Sequence, residues 1–179
     1  MEFNDVLASR RSIRRYTAAP VEKDQIIAVL KAASLAPSWK NSQCARWYVI
    51  TDPKKLSEIK EHALPEFNAR NTANAPCLIV AGFEEGKSGI GADGEFANEI
   101  TDGWSYYDLG LATENLCLEA ARLGLGTLIM GIRDEAELRG RLGIPEHVRI
   151  VSVIALGHPD IEPSMPMRLD LDKTCVFFE

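Results

Sequence analysis

No stretch of this chain is apolar for long enough to span a bilayer, and its amino terminus lacks the apolar core of a secretory signal. Membrane attachment is therefore not expected, and a cytoplasmic location is. Histidines are scarce, and His62, His147 and His158 lie far apart. The four cysteines, Cys44, Cys77, Cys117 and Cys175, form no C-x-x-C pair. Spacing of this kind offers no metal-ligand set, so no metal site is expected. An intracellular chain keeps such thiols reduced. Cys77 and Cys117 sit in apolar runs and read as small core residues. A surplus of positive charge is also missing. The chain carries 20 Lys and Arg against 26 Asp and Glu, a net charge of −6. That balance argues against a nucleic-acid footprint. The chain has no internal repeat and no low-complexity segment.

What is present suits one globular domain. The 179 residues are 46% hydrophobic and 26% charged, long enough for a substantial core. Against the acidic background, Arg10, Arg11, Arg14 and Arg15 crowd around Ser12. Arginine stays charged and presents a planar fork that matches phosphate oxygens. A hydroxyl and the backbone N–H groups of a short loop add donors, so a dianionic phosphate would suit this stretch. A second reading stands beside it. Asn4 to Ser9 can form a short helix, and cations at its C-terminal end would complement the helix dipole.

Periodicity organises the rest. Glu22 to Ala36 reads as an amphipathic helix stopped by Pro37, with Ile26, Ile27, Leu30 and Ala33 at helical spacing. A polar loop, Pro37-Ser38-Trp39-Lys40-Asn41-Ser42-Gln43, leads to a strand over Arg46 to Thr51 and a short helix over Lys54 to Ala63. Cys77 to Gly82 is a buried strand by its continuous apolar run. Phe83 to Gly103 then holds five glycines, including Gly89-Ile90-Gly91-Ala92-Asp93-Gly94. This G-x-G-x-x-G does not open from a strand, and no strand bearing a ribose-binding acid follows, so it is not a dinucleotide fingerprint. A long glycine-rich loop over a ligand site fits better. Trp104 to Leu123 is the longest helix, apolar over much of its circumference, as in a core or a subunit interface. Thr127 to Ile132 is a short strand. Asp134, with Glu137 three residues on, caps another helix that ends at Gly143 and Pro145. Arg149 to Leu156 is a further buried strand. The tail from Asp160 is aperiodic until Thr174 to Phe178, which is strand-like. A terminal strand needs a sheet edge, and a second subunit can offer one.

Taken together and in order, these motifs resemble the FMN-dependent nitroreductase family over essentially the whole chain. Arg10-Arg11-Ser12-Ile13-Arg14 is similar to its phosphate loop, and Pro37-Ser38 with Asn41-Ser42-Gln43 to its second flavin loop. Asn68 to Pro76 resembles the segment that supplies an amide to the ring. Leu118 to Gly131 is similar to the central helix and the turn after it, and Gly157-His158-Pro159 followed by Arg168 to the C-terminal end. The resemblance implies an α+β fold: a mixed, mostly antiparallel sheet flanked by helices, in an interlocked homodimer with an exchanged C-terminal strand. Residues 1–179 would form a single domain, with 160–179 as an extension reaching the partner subunit.

By the same resemblance, Arg10, Arg11, Ser12 and Arg168 hold the FMN phosphate and ribityl end, and Arg14 approaches the N1/C2=O edge. Asn68, ahead of Asn71, reaches the pyrimidine edge. Pro37, Ser38, Asn41 and Gln43 come from the other subunit, and Met130 and Gly131 offer backbone N–H groups. Cys44-Ala45 and Pro166 depart from the family pattern. The chemistry belongs to the flavin, so no side-chain nucleophile or general base is expected. The implied activity is hydride transfer from NADH or NADPH through FMN to a nitroaromatic, quinone or related small-molecule acceptor, in ping-pong order. The alternatives are flavin-dependent dehalogenation, flavin breakdown, or flavin binding without catalysis.

Overall fold

Two apolar layers sandwich a single sheet, as the alternation within its strands requires. The computed structural model describes residues 2–179. The sheet holds β1 (Ala45–Ile50), β2 (Cys77–Glu84), β3 (Gly126–Met130) and β4 (Val148–Gly157), in the order β1-β2-β4-β3. Every strand pair is antiparallel, and parallel pairing is confined to the isolated bridge Ser12–Thr127 among the described residues. Successive residues of central strand β2 point to opposite faces. Leu78 and Val80 join one core, while Cys77, Ile79 and Ala81 join the other.

The helices cover both faces. They are α1 (Phe3–Ser9), α2 (Lys23–Ser34), α3 (Pro53–His62), α4 (Glu66–Asn71), α5 (Gly103–Arg122) and α6 (Glu135–Leu142). Ile26 and Val29 of α2 and Leu109, Leu116 and Ala120 of α5 pack on the Ile79 face. Leu56 and Ile59 of α3 and Leu138 of α6 pack on the Val80 face. Local chemistry sets the helix ends. Glu22 and Gln25 form a reciprocal capping box at α2. Asp134 accepts the Glu137 N–H at 3.0 Å, and Gly143 leaves α6 with a left-handed φ of 64°.

The structure adds one helix, and it leaves the tail unpaired among the described residues. Helix α4 was not expected, because six residues are too few to show a period. Thr174 to Phe178 is not a strand within this chain. The tail holds only a 3-10 turn at Leu171–Lys173, and Val176, Phe177 and Phe178 are exposed. A strand needs an edge to pair with, and this stretch pairs with none among the described residues. No helix among the described residues is long and apolar enough to cross a membrane.

Candidate functional site

The arginine-rich stretch is held flat against one end of the sheet. Ile13 donates its N–H to the Thr127 carbonyl at 2.8 Å, and Thr17 donates to His158 at 3.0 Å. Tyr16, 1% exposed, donates its hydroxyl to the Ile13 carbonyl at 2.9 Å. Burial is the main reason its phenol titrates far above its ordinary range. Two paired glycines, Gly126 and Gly157, let the stretch come this close. A Cβ on Gly126 would stand 2.9 Å from Ile13 Cβ, and one on Gly157 would stand 3.0 Å from Tyr16 Cδ1.

With Ile13 and Tyr16 clamped inward, the polar side chains around Ile13 face outward. Arg10, Arg11, Ser12 and Arg14 line a cavity of about 350 Å³ with Pro163, Ser164, Pro166 and Arg168 from the tail. Among the described residues, no carboxylate lines it. The cavity thus gathers four guanidinium groups, a concentration of positive charge that favours an anion. Arg10 is anchored from behind by Glu114 of α5 at 3.4 Å. Arg11 donates to the Ala8 and Arg10 carbonyls, while its Nε is buried without a partner. Arg14 and Arg168 make no hydrogen bond or ion pair among the described residues. Arg15 instead faces Asp160 at 3.0 Å, outside the cavity. Pro166, one of the departures from the family pattern, sits in the cavity wall.

The second polar loop lies elsewhere in the chain. Pro37, Ser38 and Gln43 line a separate cavity of about 230 Å³ with Cys44, Arg46, Trp47 and Asp108, sharing no residue with the arginine cavity. This loop is strained. Lys40, Asn41 and Gln43 have φ of 44°, 58° and 49°. Left-handed backbone costs a non-glycine residue roughly 1–2 kcal/mol, and such strain persists where the surroundings over-determine it. Here the surroundings include Asp108 on α5, a buried carboxyl that sequence reasoning missed. Its Oδ2 accepts from Trp39 N–H at 3.0 Å, Ser88 Oγ at 2.6 Å and Ser42 Oγ at 3.4 Å. A carboxyl among the buried positions of α5, between Ser105 and Leu109, was the signal that could have found it. Cys44 lies beside it, and burial first, then the Asp108 charge, pushes that thiol up.

The remaining candidates sit near the far end of β3. Asn68 is 6% exposed, and its Nδ2 donates to the Ile132 carbonyl at 3.0 Å. The amide therefore braces the turn that follows Met130 and Gly131. Met130 is buried, while Gly131 is exposed with open space where a Cβ would stand. The glycine-rich loop is folded rather than loose. Ile90 bridges Phe96, and the Ile90 carbonyl accepts from Trp39 Nε1 at 3.1 Å and Lys40 Nζ at 3.3 Å. Trp39 packs on Trp104 with ring centroids 4.8 Å apart. No metal-binding cluster occurs among the described residues.

The sequence profile of the nitroreductase family matches residues 7–158. The chain is 31% identical to the FMN reductase [NAD(P)H] of Bacillus subtilis, with 93% of this chain and 71% of that protein covered. It is 38% identical to iodotyrosine deiodinase 1 of Rattus norvegicus, covering 98% of this chain and 69% of that one. An Exiguobacterium sibiricum structure in complex with FMN superposes with a TM-score of 0.85 at 18% identity, covering 99% of this chain and 98% of the other.

Proposed function

The chain belongs to the nitroreductase family and is an oxidoreductase, and from that premise we propose that it passes reducing equivalents from NADH or NADPH through bound FMN to a nitroaromatic, quinone or related acceptor. The observation that carries this reading is the arginine cavity, four guanidinium groups with no carboxylate in its wall among the described residues. A single phosphate suits it, and the unpartnered buried Nε of Arg11 is the kind of donor such a group would satisfy. FMN has about thirty heavy atoms, and at roughly −0.3 kcal/mol each its binding comes to about −9 kcal/mol, a sub-micromolar affinity.

When bound, FMN supplies the hydride chemistry, with donor and acceptor taking turns in ping-pong order. The chain's own residues bind and orient. Arg10, Arg11 and Ser12, with Arg168 from the tail, grip the phosphate and ribityl end. Arg14, with no ion-pair partner of its own, supplies the cation for the N1/C2=O edge. The second loop brings Asn41 and Gln43. Because it lines a different cavity of the same chain, we assign it to the flavin held by the other subunit of a homodimer. The exposed tail, with Val176, Phe177 and Phe178, would cross to that partner. A cytoplasmic setting, with its supply of nicotinamide nucleotides, suits the reaction.

The resemblance to iodotyrosine deiodinase 1 favours a second reading, reductive dehalogenation on the same fold. One anaerobic experiment separates the readings. Purified protein loaded with FMN is mixed with NADH or NADPH, and the flavin absorbance is followed. A nitroaromatic, a quinone and an iodophenol are then added in turn. Rapid bleaching, with colour restored by the nitro compound or the quinone, is expected. Restoration by the iodophenol alone would establish the second reading. Protein that binds no FMN, or whose flavin does not bleach, would overturn both.

A further inference from the structure

We propose that Asp108 is the positioning residue of the second flavin loop: it holds residues 38–44 in their strained conformation and, through Ser88, ties that loop to the glycine-rich segment between β2 and α5. The inference deepens the FMN reading and rests on it. Asp108 is 4% exposed on α5, the longest helix, and so offers a fixed platform. One carboxyl oxygen gathers donors from the two segments that flank the paired ends of β1 and β2. Trp39 N–H and Ser42 Oγ come from the flavin loop, at 3.0 and 3.4 Å. Ser88 Oγ comes from the glycine-rich side, at 2.6 Å.

No lysine or arginine pairs with Asp108 among the described residues, so these donors are what offset its burial. The geometry also explains the strain. Residues on both sides of Lys40 and Asn41 are pinned, Trp39 and Ser42 to Asp108 and Gln43 N–H to Ser38 Oγ at 3.0 Å. The chain between them has few ways to close, and it closes through left-handed backbone. Asn41 and Gln43 are thereby presented in a set direction. The Trp39–Ile90 and Lys40–Ile90 hydrogen bonds add a second tie between the same two segments. A change on the glycine-rich side is therefore transmitted to the flavin loop through Ser88 and Asp108.

The test uses the full chain with three variants, following FMN titration by flavin fluorescence and steady-state turnover with NADPH and menadione. Asp108→Ala removes every acceptor. It should weaken FMN binding about tenfold or more, the factor expected from one lost charge-assisted hydrogen bond. Asp108→Asn keeps one acceptor oxygen and should recover binding to within about threefold of wild type, as a neutral hydrogen bond replaces a charged one. Ser88→Ala removes the shortest of these hydrogen bonds and cuts the far tie, so it should weaken FMN binding measurably but less than Asp108→Ala does; wild-type FMN affinity in this variant overturns the claim that Ser88 transmits to the loop. If the alanine variant does not fold, Asp108→Ser takes its place, since its hydroxyl is too short to reach the Trp39 N–H. An alanine or serine variant that folds and binds FMN as tightly as wild type overturns the inference while leaving the cofactor reading intact. Equal losses in the alanine and asparagine variants, together with lower melting of the flavin-free protein, show a core role only and also overturn it. Wild-type protein that binds no FMN overturns the cofactor reading and this inference with it.

Discussion

Gly126→Ala tests whether the end of the sheet sets the anion cavity. Gly126 lies in β3 with its missing side chain aimed at the arginine stretch. An alanine Cβ there would stand 2.9 Å from Ile13 Cβ, closer still to Ile13 Cγ1, and 3.1 Å from Pro159 Cγ. The Cβ and Pro159 contacts fall roughly 0.5–1 Å inside the optimal separation of carbon atoms, and the Cγ1 contact falls further inside it. Ile13 cannot simply retreat, because its N–H is bonded to Thr127, a residue paired with β4. Overpacking of this kind costs about 1–3 kcal/mol of stability. Ile13 sits between Ser12 and Arg14, so any relief moves both. Losing one charge-assisted contact at about 1.5–3 kcal/mol corresponds to FMN binding weakened about 10- to 100-fold. Denaturant unfolding of the flavin-free protein reads the first effect, and fluorescence titration with FMN reads the second. Gly140→Ala is the control. Gly140 is exposed in α6 with nothing near its would-be Cβ, so this change should add about 0.5–1 kcal/mol and leave FMN affinity alone. Ile13→Ala in the Gly126→Ala background should restore part of the binding, because it removes the nearest atom. A folded Gly126→Ala protein with wild-type FMN affinity would refute the argument that this contact places Ser12 and Arg14.

Two further outcomes are expected. Deleting residues 172–179 removes the exposed Val176, Phe177 and Phe178, and should lower dimer stability and flavin content together; a folded monomer in light scattering that still holds FMN would contradict the crossing tail. Burial pushes the Cys77 thiol up to about 12 and also raises Cys44 and Cys117, so at pH 8 only Cys175 should react quickly with a thiol reagent, and rapid labelling of Cys44 in native protein would count against the packing around Asp108.

Much of the fold was legible because its signals are local. The apolar run of β2, the helical spacing of α2 and the Asp134–Glu137 cap each lie within a few residues. The arginine stretch was legible for the same reason, since five consecutive residues carry most of the cavity's charge. The contribution of Arg168 came through resemblance, and the structure brings it beside Arg10 to Arg14 in one wall. Asp108 was not legible. Its partners Trp39 and Ser42 stand 69 and 66 residues upstream, and in sequence Asp108 is one of several polar residues of α5, with nothing local to mark it as buried. The tail is of a different kind. Its composition suits a strand, but a strand is a pairing, and the partner edge is not written in the stretch itself. The glycines Gly126 and Gly157 belong with Asp108. In sequence Gly126 reads as part of the turn after the long helix and Gly157 as the turn out of a strand, and each becomes a close-contact site only once Ile13 and Tyr16 are seen against it.

The central claim, that one flavin site is built from the arginine cavity of one subunit and the strained loop of the other, can be measured by mixing defects. One variant carries Arg14→Glu, and a second carries Asn41→Ala with Gln43→Ala. Each should bind FMN poorly as a homodimer, since every site in it is damaged. In a mixed dimer, one site receives both defects and the other receives none. With random assortment about half the dimers are mixed, so about a quarter of all sites are intact. Flavin content and NADPH-driven activity of the co-expressed pair should rise toward that quarter. Isolated, folded heterodimers that stay as empty as the parent homodimers would contradict the shared site.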